Sequence, residues 1–334
     1  LRSRIGAIAA LFSSKPLTLA WFYSPELQKI VSRKLCEGSF DLIFVYCSSM
    51  AQYVEGASHI PRVIDFVDVD SEKWQQYAGL ASFPLNLLYR LESARLRSYE
   101  RLIAERYQRC FFVSAKEAAD FRQLVHGGAK VTAIPNGVDL ERFSPSGGSY
   151  KPGTLVFTGA MDYFANADAV LFFVKDILPL VRQSVPGCTL LVVGRNPPAS
   201  IRALPAKYPG VTVTGAVESV VDYVTASAVF VAPMRIARGV QNKILEAMAM
   251  GVPVVTTPLG HEGIEALAGR DIIVVEQPAL FARQVVKLLT DPELRNTMSL
   301  SGRRGVEEHY DWAKQLGTLE QELELAKAGI CSVA

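Results

Sequence analysis

The sequence predicts an α/β protein made of two parallel-sheet units, and three observations carry that expectation. Short apolar runs alternate with helical patterns along the whole chain, the arrangement of parallel strands covered by helices. At 334 residues the chain is long for one hydrophobic core and fits two domains of ordinary size. The alternation pauses once, at the turn-rich Ser144-Pro145-Ser146-Gly147-Gly148, whose composition suits a connection between units.

The first unit is expected over residues 1–148. Residues 1–12, basic and apolar, read as an interior helix. Strands are expected at Leu17–Tyr23, Asp41–Cys47, Arg62–Val67, Cys110–Val113 and Val131–Ile134, each rich in β-branched or aromatic residues. Ser24 as N-cap, Pro25 at the first helical position and Gly38 as a stop bracket a helix with Leu27, Ile30, Val31 and Leu35 at helical spacing. A long polar helix runs from about Leu85 to Tyr107. The second unit, 149–311, repeats the alternation with TLVFTG, TLLVVG, VTVTG, AVFVAP, PVVTT and DIIVV. Gly159, Gly194, Gly215, Pro233 and Gly260 fall at the carboxyl ends of these strands, where such sheets bind ligands. A last helix, about Trp312 to Ala328 within 312–334, trails the second unit.

Composition narrows the function classes. Apolar residues at 49% and charged residues at 20% describe a packed globular chain. A net charge of +2 is too small to argue for nucleic acid. The five cysteines lack CxxC spacing and the four histidines are dispersed, so neither a disulfide framework nor a metal cluster is expected. No apolar run is long enough to span a bilayer.

The chemistry concentrates in Arg238–Val255, RGVQNKILEAMAMGVPVV. Gly239 lets backbone approach a ligand. The start of the following helix, with Gln241 and Asn242, offers N–H groups and a positive dipole end to an anion, and Lys243 adds a cation. Glu246 lies on the same helical face as Lys243, where a carboxylate behind a phosphate site serves to accept sugar hydroxyls. The pair therefore suggests a nucleotide diphosphate bound phosphates-first; the alternative is an i,i+3 surface ion pair of small energy. Arg235, Arg238 and Lys243, with Arg195 of VVGR, are the candidate cations for the diphosphate; the alternative for the arginines is solvated loop charge. Glu262 stands on the next strand-end loop, placed either for sugar hydroxyls or as a helix N-terminal acid. Asp68-Val69-Asp70 matches a DxD pattern, but the metal reading is set aside because the helix N-terminus and arginines already supply an anion site. Asp68 or Asp70 is instead a candidate to orient or deprotonate an acceptor hydroxyl, against an N-cap network with Ser71. Ser48, Ser49, Asn136, Asp139, Tyr163 and Asn166 complete the cleft candidates. Asn136-Gly137 is foremost a turn, and Tyr163 and Asn166 read equally as the start of a helix.

The stretch ending in LEAMA-G-PVV resembles the donor-site helix of family-4 glycosyltransferases, which have the two-domain GT-B fold. VSAKEAADFR (113–122), IPNGVDLERFSP (134–145), VFTGAMDYFANADAV (156–170), VVGRNPP (192–198) and VTVTGAVESVVDYVTAS (211–227) occur in that family's order. With IDFVDVDSEKW (64–74) they are most similar to the sugar transferases associated with PEP-CTERM/exosortase and exopolysaccharide systems. The resemblance implies two Rossmann-like parallel-sheet domains facing a cleft, with 1–148 on the acceptor side, 149–311 binding the donor and 312–334 crossing back to the first domain. It also implies a strand and a glycine-rich loop ahead of Leu1. Two departures stand out. The Arg and Lys that the family carries after the first strand of the second domain are Ala160 and Ala165 here, and Arg238 occupies the place of the first of two glutamates. Glu246 matches the second, the ribose binder.

The resemblance implies a metal-independent, retaining transfer of a sugar from a nucleotide diphosphate donor to a hydroxyl, with Asp68, Asp70, Arg238 and Lys243 nearest the chemistry. Gly159, Arg195, Arg235, Gly239, Gln241, Asn242, Glu246 and Glu262 are expected around the donor. No cofactor and no metal are expected beyond the nucleotide-sugar substrate. The expected partners are that donor and a glycan or lipid-linked acceptor, with no nucleic acid, in the cytoplasm and peripheral to the inner membrane face. A non-hydrolysing nucleotide-sugar epimerase and a non-catalytic two-domain binding protein are the rivals.

Overall fold

The computed structural model describes residues 14–125, 130–145, 150–237 and 239–331. The helix expected over 1–12, the strand and loop expected ahead of Leu1, and part of the 144–148 connection lie outside these residues. The chain divides into Leu1–Pro135 with Leu316–Ala334, and Asn136–Gln315.

The first unit holds a four-stranded parallel sheet in sequential order: β1 (Ile43–Tyr46), β2 (Arg62–Asp65), β3 (Arg109–Phe112) and β4 (Val131–Ala133). Its helices are α1 (Leu17–Phe22), α2 (Pro25–Glu37), α3 (Asp70–Leu80), α4 (Leu85–Arg106) and α5 (Ala115–Leu124). Phe66, Phe112 and Phe121 form the aromatic centre of the core, with centroids 4.7–5.0 Å apart. The end of the chain contributes too: α11 (Trp312–Cys331) lays Leu319, Leu323 and Ala326 on Val63 and Phe111, and Glu322 bridges Arg109 at 2.6 Å and Thr132 at 3.1 Å.

One expected strand is a helix. Leu17–Tyr23 reads as β because a short apolar run does not discriminate the two by periodicity, yet Leu17–Phe22 is helical. Its first N–H groups, on Leu17 and Thr18, donate to the buried Glu92 carboxylate at 2.7 and 2.8 Å. That cap comes from α4, where no local pattern reports it. The helix over Pro25–Glu37 forms as its punctuation indicates, with the Ser24 hydroxyl accepting from Leu27 N–H and Gly38 N–H closing on Lys34. Leu27 and Ile30 nevertheless stay exposed.

The second unit contains a six-stranded parallel sheet in the order β10-β9-β8-β5-β6-β7. Its strands are β5 (Lys151–Thr158), β6 (Thr189–Val193), β7 (Val211–Gly215), β8 (Ser227–Ala232), β9 (Val254–Thr256) and β10 (Ile273–Val274). Leu155, Val156, Phe157 and all of β8 are buried, as expected of strands covered on both faces. The covering helices include α6 (Phe164–Phe172), α7 (Leu178–Ser184), α8 (Asn242–Ala249), α9 (Pro278–Thr290) and α10 (Pro292–His309). From β5 the chain winds outward to β6 and β7, then returns to place β8 on the other side of β5. This reversal opens a crevice beyond the carboxyl ends of β5 and β8, the usual ligand position in such sheets.

Candidate functional site

Two loops border that crevice. The loop after β5 begins at Gly159, whose N–H donates to Val193 at 3.0 Å, while Met161 N–H reaches the Arg195 carbonyl at 2.9 Å. Gly159 and Gly194 are pressed together here: a Cβ on Gly194 would fall 1.7 Å from the Gly159 carbonyl oxygen. The loop after β8 runs to Gly239, which adopts φ 64, a conformation costly for other residues. It is pinned from β9, where Thr256 and Thr257 hydroxyls donate to the Ala232 and Met234 carbonyls at 2.8 and 2.5 Å.

Helix α8 opens with Gln241 at its N-cap position and no side-chain cap. Its first N–H groups are thus not all satisfied from within, the condition for an anion site. Gln241 itself reaches back to the Gly239 carbonyl at 3.4 Å, and Asn242 meets the side chain of Asn136 at 3.5 Å.

Lys243 does not lie on the surface beside Glu246. The residue is half-buried, its ammonium sits 4.9 Å from the centre of the Phe157 ring, and it donates a short hydrogen bond to the Asn166 Oδ1. Asn166 is buried, and its Nδ2 donates to the Ala160 carbonyl at 2.9 Å. One amide therefore ties the β5 loop to the lysine of α8. The same amide fills the space a Cβ on Gly159 would need, at 2.7 Å. Burial holds the Lys243 ammonium down to about 8, with Glu246 opposing the shift. Glu246 is half-buried and raised by desolvation, while Arg142 and Lys243 pull it back. Among the described residues its carboxylate has no hydrogen bond, so its acceptor capacity is open. The i,i+3 ion pair is not formed; Lys243 is held by Asn166 instead.

The remaining donor candidates divide. Arg195 is exposed at the end of β6 with a guanidinium unpaired among the described residues. Arg235 is committed elsewhere: its Nη2 and Nε bond Asp168 at 2.5 and 3.0 Å, and it stacks 4.6 Å over Phe172. Its charge is largely answered by α6 rather than offered to a phosphate. Arg238 lies outside the described residues. Glu262 follows the single turn Pro258–His261 and is half-buried. Ala160 and Ala165 leave the β5 loop without a cation, and Ala165 is itself in the core.

In the first unit, Asp70 begins α3 and its Oδ2 accepts from the buried Ser48 hydroxyl at 2.7 Å. The alternative was a cap network with Ser71, and among the described residues no N-cap side chain bonds the start of α3. Val69 holds the N-cap position without a side-chain bond, and Ser71 donates its N–H and hydroxyl to Glu100 on α4 at 2.9 and 2.5 Å. Burial pushes the Glu100 carboxyl up to about 7. Cys47 and Val67, just past β1 and β2, have φ 64 and 66. Positive φ at a β-branched residue is an outlier and clusters at functional loops. Asp68 follows, with its N–H on the Phe66 carbonyl at 2.8 Å.

The sequence names Asn166 and Asn136 among the cleft candidates, with helix-start and turn roles as the alternatives, and gives neither a partner. The signal for Asn166 was its spacing from Gly159, but only the fold brings Lys243 to it.

Residues 2–142 match the family model described as Glycosyltransferase Family 4, and residues 152–291 the one described as Glycosyl transferases group 1. A search of curated proteins finds no match. Among solved structures, sucrose-phosphate synthase (tll1590) from Thermosynechococcus elongatus is similar with TM-score 0.70 and 20% identity, over 92% of this chain and 82% of that one. Anabaena Alr3699/HepE in complex with UDP and glucose gives TM-score 0.71 and 14% identity, over 90% and 81%. TarM gives 0.73 and 13%, over 91% of this chain and 59% of its own length.

Proposed function

We propose that this family-4-like glycosyltransferase of GT-B fold moves a hexosyl-type sugar from a nucleotide diphosphate donor to a hydroxyl of a glycan or lipid-linked acceptor, with retention of configuration. The observation that carries the donor assignment is Lys243, buried yet cationic, held by Asn166 and Phe157 beside the uncapped start of α8, with the Glu246 carboxylate one turn along. A buried ammonium is expensive to desolvate, and an incoming phosphate repays that expense. The amide N–H groups of α8 share the diphosphate charge as the sugar leaves, with Arg195 and Arg238 as further cations. Glu246 accepts the ribose hydroxyls. Because the positive charge is protein-borne, the transfer needs no metal.

Asp70, oriented by Ser48, positions or deprotonates the acceptor hydroxyl, with Asp68 beside it. The HepE complexes with UDP and with UDP-glucose make UDP-sugars the first donors to test. The likeness of residues 64–74 to PEP-CTERM/exosortase-associated enzymes supports a role in exopolysaccharide or cell-surface glycan assembly at the cytoplasmic face of the membrane. Both matching family models are transferase models, which favours transfer over the epimerase and binding-protein readings.

The test is incubation with UDP-, GDP-, ADP- and TDP-sugars in the presence of chelator, reading release of nucleoside diphosphate. Turnover of one donor class under chelator is expected. Turnover that appears only on adding magnesium or manganese would return Asp68-Val69-Asp70 to consideration as a metal site.

A further inference from the structure

The first unit contains a cavity of about 630 Å³ that the donor chemistry leaves unused, a volume in the range of small-molecule sites. Its walls come from three helices: Trp21 and Phe22 of α1, Trp74 and Tyr77 of α3, Leu88 and Tyr89 of α4. The rings of Trp74, Tyr77 and Tyr89 pack together with centroids 5.1–6.4 Å apart. These walls are fixed by buried carboxylates on α4. Glu92 caps α1 through Leu17 and Thr18, Glu100 holds the start of α3 through Ser71, and Glu72 of α3 pairs with Arg97 at 2.6 Å. Aromatic walls held this firmly around a cavity make a preorganised apolar site rather than a packing fault.

The apolar character continues to the surface, where the wall residues Trp21 and Phe22 are half exposed. Large apolar side chains grouped this way mark an interaction site. The polar lining decides the kind of ligand. Both Glu92 oxygens accept from α1, while Asp70 accepts from Ser48 through Oδ2 and keeps Oδ1 for an acceptor hydroxyl. Lys73 also lines the cavity, and among the described residues its ammonium has no hydrogen bond or ion pair. One unanswered cation beside apolar walls complements an amphiphile with an anionic head.

We infer that this cavity binds the hydrocarbon chain of an anionic lipid, with the head group at Lys73. Asp70 lies on the same cavity. On the transferase reading above, on which this step rests, a lipid-linked acceptor seated here brings its head group to the carboxylate assigned to acceptor chemistry. The same chemistry is offered by a membrane phospholipid, and the test separates the two sources.

In a Trp312→Phe chain the remaining tryptophans are Trp21 and Trp74, both on the cavity wall. Monomeric 12-doxylstearate, a quenching fatty acid, should quench their fluorescence saturably. Farnesyl phosphate should displace it if the ligand is an isoprenoid phosphate, and phosphatidylglycerol vesicles should do so if it is a membrane lipid. Leu88→Arg, which places a charge in the cavity, should weaken quenching at least tenfold. Should that variant fail to fold, Leu88→Phe, which fills part of the space, carries the same expectation. Lys73→Glu should weaken farnesyl phosphate at least tenfold and leave farnesol unchanged. Quenching that does not saturate, or that both Leu88 variants leave unchanged, overturns the inference. UDP titration of the same chains keeps the two readings apart. UDP binding without lipid quenching removes this site and leaves the transferase, and lipid quenching without UDP binding does the reverse.

Discussion

The strand ends of the two sheets solve opposite problems with the same architecture. In the second unit, glycines bring backbone close, and a lysine is buried against an amide and an aromatic ring beside an uncapped helix start. In the first, two non-glycine residues with positive φ, Cys47 and Val67, frame a carboxylate next to an aromatic cavity. The arrangement in the second unit suits a charged, hydrogen-bonding ligand and that in the first unit an amphiphile with an apolar chain. The parallel sheet dictates only where a ligand goes; the loops decide which ligand.

That contrast can be broken most sharply at Asp70. Asp70→Asn keeps a hydrogen-bonding partner for Ser48 but removes the base, so transfer should fall by roughly 10²–10⁴-fold while UDP affinity stays at the parent value. Equal losses in transfer and in UDP binding would show that the two strand ends do not divide the labour as described.

At the donor end, Glu246→Ala should weaken nucleotide binding by about 2–3 kcal/mol, as for hydrogen bonds to a charged acceptor. A deoxyribose ligand should lose a similar amount, and the two losses should not add, because the same contact is absent in both. Additive losses in calorimetry would move Glu246 away from the ribose.

The pH dependence sharpens the comparison further. Lys243 titrates at about 8 in the free protein against roughly 10.4 when unfolded. Across that window the unfolded chain binds more protons, so the free protein should gain stability as pH rises. Binding a diphosphate requires the protonated form, so UDP affinity should fall on the order of tenfold between about pH 8 and 9.5. Binding at pH 8.5 should also take up a proton, readable as a heat that varies with the buffer's ionisation enthalpy. A flat profile would mean that Lys243 does not meet the phosphates.

The smallest effect is expected at Arg235. Its guanidinium is exposed and already answered by Asp168, so Arg235→Ala should change UDP affinity by no more than about 0.5 kcal/mol, the scale of a surface ion pair. A loss several times larger would restore it to the phosphate site.

Arg235 also illustrates what the sequence did and did not disclose. Its place in a cation-rich loop was legible, but its partner is on α6, 67 positions away. The alternation of apolar runs disclosed both parallel sheets because strands covered on two faces leave continuous hydrophobic stretches. The run Leu17–Phe22 misled because its helical state is set by Glu92 on a distant helix. Gly239, Lys243 and Glu246 could be read as a group because a loop glycine is followed within eight residues by two polar side chains on one helix face. Asn166 was legible only as one cleft candidate among several, since an amide at a helix start has many ordinary uses and its bond to Lys243 forms only when β5 and β8 meet. The positive φ of Cys47 and Val67 left no trace at all, because neither residue type favours it.

The central claim is that a protein-borne cation at the start of α8 holds the nucleotide diphosphate. It is tested most directly by calorimetric titration of UDP, under chelator at pH 7, into the parent chain and into Lys243→Met. Methionine keeps the apolar stem and removes the charge, so the fold should be at least as stable as the parent. The account predicts binding to the parent without metal and a loss of about 2–3 kcal/mol in the variant, the range for a charge-assisted hydrogen bond. Equal affinity in the two chains would contradict it.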